Sequence, residues 1–145
     1  RRTIHGGRHV LVELPYVGSV PNLPDLCFKL KLKGHTPVIA HPERCAQFET
    51  KGQAQAAARV GAVLQLDIGA LIGRYGKTAR RLSLEFLEEG LYAIGATDLH
   101  SPVGALDWVG RSLTELSREA GKEGLLRLMQ TNPQAILAGE ELELP

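Results

Sequence analysis

Long apolar runs, cysteine pairs and charge of one sign are all scarce in these 145 residues. No apolar run approaches the roughly 20 residues of a membrane span, and no signal-peptide pattern is seen, so membrane insertion is not expected. Only two cysteines occur, Cys27 and Cys45, and they form no CxxC pair. That is too few for a disulfide framework, and the reading is a reduced, cytoplasmic chain. The formal net charge is +1, which provides no field to draw in nucleic acid or an anionic membrane. The local basic clusters, "KLKLK" at 29–33 and Arg80-Arg81, read as helix faces bathed in solvent.

What is present is ordinary for one globular domain spanning 1–145. Hydrophobic residues make up 43% and charged residues 23%, and the length suffices for a single core. The chain opens on Arg1-Arg2 rather than on methionine, which suggests processing, truncation or a fragment.

One theme repeats along the chain. "RHVLVEL" (8–14) is a β-branched alternating run and reads as a strand ending near Glu13. Leu23, Leu26, Cys27 and Leu30 fall on one helical face of 23–33, and Gly34 is a suitable stop. "TPVIA" (36–40) is the second strand, and the alanine-rich segment 51–61 is the second helix. "AVLQLDI" (62–68) is the third strand, and 69–76 is a glycine-punctuated loop. Segment 77–90 is a helix with Ala79, Leu82, Phe86 and Leu87 turned inward, and "LYAIGATD" (91–98) is the fourth strand. Helices over 104–120 and 122–129 and a short helical turn at "NPQAIL" complete the reading. Strand followed by helix, repeated, predicts right-handed crossovers and a parallel sheet.

Parallel sheets carry their chemistry at the carboxyl ends of their strands. Three of the four predicted strands end on groups that bind metals: Glu13, then His41, then Asp98 with His100. Singly, each has an ordinary role as a surface or capping group. At successive ends of neighbouring strands, they could converge on one ion. A mixed carboxylate and imidazole set suits Mn²⁺, Fe²⁺, Co²⁺ or Zn²⁺ better than Ca²⁺ or Cu⁺. The loop "GALIGRYGKTARR" leaves a strand on the same side, which makes Arg74 or Lys77 a candidate contact for an anionic substrate. It has no Walker lysine-serine pair, so a nucleotide P-loop is not expected.

In order, "VLVELP", "LKLKGHTPVIAHPERC", "GAVLQLDIGALIGRYG", "GATDLH" and "TNPQAILAG" span residues 8–139. That series resembles the manganese-dependent bacterial tyrosine phosphatases of the capsular and exopolysaccharide type, within the polymerase-and-histidinol-phosphatase superfamily. The most specific elements are His41-Pro42-Glu43-Arg44 and the downstream Asp98-x-His100. The resemblance implies an incomplete, distorted TIM-like barrel built of parallel β/α units. It makes Glu13, His41, Asp98 and His100 ligands of a divalent ion, manganese first, and Arg44 the phosphate contact. It further implies catalytic roles for His41, Arg44 and Asp98, and a phosphotyrosine substrate on the tail of a polysaccharide-export kinase.

The chain departs from that pattern in three places. The family's N-terminal His-x-His motif has no counterpart, since His5 and His9 are four apart. No arginine follows the Asp-x-His pair until Arg111, and Cys45 stands where the family often has tyrosine. The expectation is the C-terminal portion of such an enzyme. The alternatives are a catalytically silent binding module of the same fold, or a small-molecule phosphatase such as a histidinol phosphatase.

Overall fold

The structure, a computed structural model, describes residues 3–99 and 104–145. Four strands, β1 (His9–Val12), β2 (Thr36–Ala40), β3 (Val63–Asp67) and β4 (Tyr92–Ala96), form one sheet in the order β1-β2-β3-β4. All three pairings are parallel, with His9 opposite Thr36, Val38 opposite Val63 and Leu64 opposite Tyr92. Helices α1 (Leu23–Leu32), α2 (Gln53–Arg59) and α3 (Lys77–Glu88) are the crossovers. The expected α/β organisation is therefore observed, with most element ends within about two residues of those predicted.

Side-chain alternation splits each strand between two faces. Ile39, Leu64 and Leu66 join Leu23 and Cys27 of α1, Ala54 and Ala57 of α2, and Leu82 and Phe86 of α3 in the main core. Val38, Val63 and Ile94 point the other way, onto Ile136 and the half-buried Ile4 and Leu142. All five residues of β2 are buried, as a central parallel strand covered on both faces should be. The three crossover helices pack into one core on one face, and the strand order does not reverse. Both features belong to consecutive β/α units rather than to a doubly wound sheet.

After β4 the chain forms α4 (Ala105–Leu126), a π-helical turn at Arg127–Thr131 and α5 (Asn132–Ala138). Gly121 breaks α4 with φ 75° and ψ 172°, where the sequence pattern divides it into two helices. Asn132 ties the C-terminal segment to the sheet. Its Nδ2 donates to Ala93 O at 2.7 Å and to Glu143 O at 2.9 Å, and its Oδ1 accepts from Glu143 N at 2.7 Å. Gly95 permits the close approach of the π turn, because a Cβ there would stand 2.7 Å from Met129 Sδ.

One sequence expectation is corrected. The segment after β3 is not a simple loop, because Ile68–Ile72 forms a 3-10 helix with Ile68, Gly69, Ala70 and Leu71 buried. Asp67 starts it, its Oδ1 accepting from Gly69 N at 3.2 Å, and Gly73 ends it in the left-handed region. No helix among the described residues is long and apolar enough to cross a membrane. Both cysteines are buried and free.

Candidate active site at the carboxyl edge of the sheet

Because the strands are parallel, the residues that follow them share one edge. Glu13 follows β1 and is exposed, His41 follows β2 and is buried, Asp67 ends β3, and Asp98 lies two residues past β4. His100 lies outside the described residues. His41 (φ 34°) and Asp98 (φ 46°) both adopt left-handed backbone conformations. Such strain in non-glycine residues concentrates at functional sites, and His and Asp tolerate it better than most.

Arg44 is the centre of the edge. The turn Pro42–Arg44 is a single 3-10 helix that begins immediately after His41. Arg44 Nη1 donates to Asp67 Oδ2 at 3.0 Å and to Asp98 Oδ2 at 2.7 Å, so one guanidinium joins the ends of three strands. It also lies over two aromatic rings, with Cζ 3.8 Å from the Tyr75 centroid and 4.8 Å from that of Tyr16. Tyr16 also lies against His41, ring centroids 5.5 Å apart. Arg44, Tyr16, Tyr75 and Thr78 help line a pocket of about 340 Å³ that opens beside this cluster.

Arg74 is placed differently. Its Cζ stacks 3.9 Å over the Trp108 ring, one residue before the tyrosine that covers Arg44. Gly69 makes room for this pair: a Cβ there would meet Arg74 Cδ at 3.0 Å, Tyr75 Cε2 at 3.2 Å and Trp108 Cζ3 at 3.3 Å. The glycine therefore serves close packing beneath the site as well as the turn.

Beneath Arg44 lies a buried acidic pair. Burial pushes the Asp67 carboxyl up, against the downward pull of Tyr75, the Gly69 amide and Arg44. Its side chain is only 1% exposed, so the arginine beside it is its main charge compensation. Glu43 is 2% exposed. Its Oε1 accepts from the Tyr92 hydroxyl at 2.7 Å and its Oε2 from Asp67 N at 3.1 Å. Burial raises the Glu43 carboxyl to about 8, against the opposing hydrogen bonds.

That shift gives a signed prediction. The folded state holds a proton on Glu43 that the unfolded chain releases near 4.5, so the stability linked to it is full below about 4.5 and is lost as the pH rises through about 8. Glu43→Gln imitates the protonated acid, its amide oxygen accepting from Asp67 N and its NH₂ donating to the Tyr92 oxygen. It should melt close to the parent at the acid end of that window and lose less stability than the parent as the pH rises from about 4.5 to about 8. Thermal melts from about pH 5 to about pH 9 check this; identical losses over that range would place the titration elsewhere.

One potential donor for a divalent ion stands open at His41. Its Nδ1 is buried without a hydrogen-bond partner, a costly arrangement for a polar atom with nothing to bind. Asp98 is engaged by Arg44, and Glu13 stands at the same edge. Among the described residues, no three His, Cys, Asp or Glu side chains close into a group that could hold an ion.

Sequence reasoning placed Glu13, His41 and Asp98 at one edge and singled out Arg44. It missed Asp67, Tyr16, Tyr75 and the roles of Glu43 and Tyr92. Asp67 had a usable signal, since "LQLDI" ends a buried strand on a carboxylate just as the other strands end on polar groups. The tyrosines had none, because each reaches Arg44 from a loop whose path depends on the assembled sheet.

Comparison with known proteins adds to this geometry. The family model described as capsular polysaccharide synthesis, CpsB/CapC, matches residues 1–138. Tyrosine-protein phosphatase YwqE of Bacillus subtilis (strain 168) is 30% identical over 142 residues, covering 97% of this chain and 55% of that protein. The putative tyrosine-protein phosphatase CapC of Staphylococcus aureus is 32% identical over 100 residues, covering 68% of this chain and 39% of that protein. A chain from the crystal structures of YwqE from Bacillus subtilis and CpsB from Streptococcus pneumoniae, described as unique metal-dependent tyrosine phosphatases, superposes with a TM-score of 0.88 at 28% identity. The superposition covers 99% of this chain and 58% of that one. The chain spans about half the length of the curated relatives it matches.

Proposed function

This chain belongs to the CpsB/CapC family of capsular polysaccharide synthesis, and on that premise we propose that it carries the phosphate-binding part of a metal-dependent protein-tyrosine phosphatase. The observation that carries the reading is Arg44, held against the rings of Tyr75 and Tyr16 at the carboxyl edge of four parallel strands. Its two carboxylate bonds use a single nitrogen, and a guanidinium has five donors. The rest of the fork is assigned to the non-bridging phosphoryl oxygens, which it matches in a bidentate way that a lysine cannot.

The residues assigned to a divalent ion are Glu13, His41, Asp98 and His100, with Mn²⁺ first and Fe²⁺, Co²⁺ or Zn²⁺ as other candidates. When bound, such an ion supplies hydroxide at neutral pH and charge stabilisation for in-line attack at phosphorus. Arg44 orients the phosphoryl group and spreads its charge. Tyr75 and Tyr16 hold the guanidinium plane, and Asp67 keeps it in register with the strand ends. A phenolate leaving group, pKa about 10, needs less protonation than an alkoxide, so the site can act without a strong general acid.

The substrate assigned is phosphotyrosine on a protein, a polysaccharide-export kinase being the candidate partner, in the cytoplasm. The four in-order strands would form part of the wall of a TIM-like barrel of the polymerase-and-histidinol-phosphatase type, to which this chain contributes the C-terminal portion.

The test is phosphate release by the purified protein with Mn²⁺, from a phosphotyrosine peptide, a phosphoserine peptide and histidinol phosphate. Release from the phosphotyrosine peptide that is abolished by a chelator supports the reading. Release from histidinol phosphate alone would replace it with a small-molecule phosphatase. Mn²⁺ binding without turnover on any of the three would mark a silent binding module.

A further inference from the structure

Glu43 is buried immediately beside Arg44 in sequence and contributes to the floor of the same pocket, yet both of its carboxyl oxygens are taken up by the protein. Its two oxygens are shared between two strands: the Tyr92 hydroxyl of β4 donates to one at 2.7 Å, and the backbone N–H of Asp67, the last residue of β3, donates to the other at 3.1 Å. The carboxyl therefore fastens the turn after β2 to both strands from which Arg44 draws its support. A leucine or methionine would fill the same volume without the desolvation that a buried carboxyl costs. What the carboxyl adds is direction, because two hydrogen bonds fix the turn in rotation as well as in depth.

We propose that Glu43 and Tyr92 are positioning residues that act through Arg44, the chain Tyr92 hydroxyl–Glu43 carboxyl–Asp67 amide setting where the guanidinium stands. The inference rests on Arg44 being the phosphate contact only for its functional consequence; the positioning itself can be read without any ligand. Asp67 is the shared element. Glu43 holds its backbone while its side chain holds Arg44 and accepts from Gly69 N. A small displacement at Glu43 is therefore transmitted through Asp67 to the guanidinium.

The test uses protein labelled with ¹⁵N at arginine. Arg44 lies against two tyrosine rings, which give its side-chain N–H signal a ring-current shift and make it a local reporter. In Tyr92→Phe, and in Glu43→Met as a second and volume-matched disruption, that signal should move, while the signal of Arg80, bonded to Leu71 O at 3.1 Å, stays in place. Glu43→Gln keeps both hydrogen bonds and should restore the parent position. Orthovanadate should bind about tenfold more weakly in Tyr92→Phe, and that loss should vanish in an Arg44→Lys background, since the effect runs through the guanidinium. An unmoved Arg44 signal in both disrupted variants overturns the proposal, even if they melt at lower temperature. So does a vanadate loss of the same size with Arg44→Lys already present. If the parent binds no vanadate, the phosphatase reading fails, and the arginine signals still decide the positioning claim.

Discussion

Arg44→Ala is expected to weaken binding of orthovanadate or inorganic phosphate by thirtyfold or more. Truncating one member of a buried, hydrogen-bonded charge pair typically costs about 2–5 kcal/mol. The same change withdraws the cation from Asp67, whose side chain is 1% exposed and whose carboxyl burial already pushes up. Breaking a buried pair on one side costs about 3–5 kcal/mol, so the melting temperature should fall as well. Asp67 keeps its Gly69 amide bond, which places the stability loss at the lower end of that range.

Arg44→Lys separates the two effects. A lysine retains the charge beside Asp67 and Asp98, so it should recover much of the stability. It has no planar fork to stack on Tyr75 and Tyr16, so phosphate affinity should remain nearly as low as in the alanine variant. Calorimetric titration with vanadate and thermal melts of both variants check this, and metal content should be unchanged in each. Parent-like vanadate affinity in Arg44→Lys, or loss of metal in Arg44→Ala, would make Arg44 a structural residue.

His41→Ala is expected to do the reverse, costing metal affinity far more than stability. The buried Nδ1 has no hydrogen-bond partner to lose, and the Tyr16 ring contact at 5.5 Å is a modest one. Removing a group in the outer shell of a metal site typically costs about 10–100-fold in affinity; a direct ligand should cost at least the upper figure. Titration of parent and variant with Mn²⁺, read by calorimetry, measures the loss, and melts of the metal-free proteins measure the stability. Equal Mn²⁺ affinity in the two, or a collapse of the metal-free variant, would assign His41 to the core. His41→Asn is the better control for backbone conformation, because asparagine tolerates the left-handed φ of 34° that His41 adopts.

The two variants probe residues three positions apart in one turn, which is why opposite outcomes are informative. Arg44 is coupled to the strand ends by charge, and His41 is not.

Much of this fold was legible without coordinates, because it depends on which faces of local elements are apolar. "TPVIA" reads as a buried strand and is one over its whole length, 36–40. Ala79, Leu82 and Phe86 read as one inward face of a helix and are buried on α3. Polar residues at the ends of such strands must share an edge once the strands are parallel, so the placement of Glu13, His41 and Asp98 followed from connectivity alone. The tertiary structure decided which of those ends make contact. Arg44 meets Asp67 across 23 positions and Asp98 across 54, and Glu43 meets Tyr92 across 49. Register, crossover path and the room left by Gly69 set those distances, and no local periodicity encodes them. Hydrophobic patterning specifies what is buried, through an energy that has no direction. The pairing of charges at the edge depends on distance and angle, which exist only when the strands stand side by side.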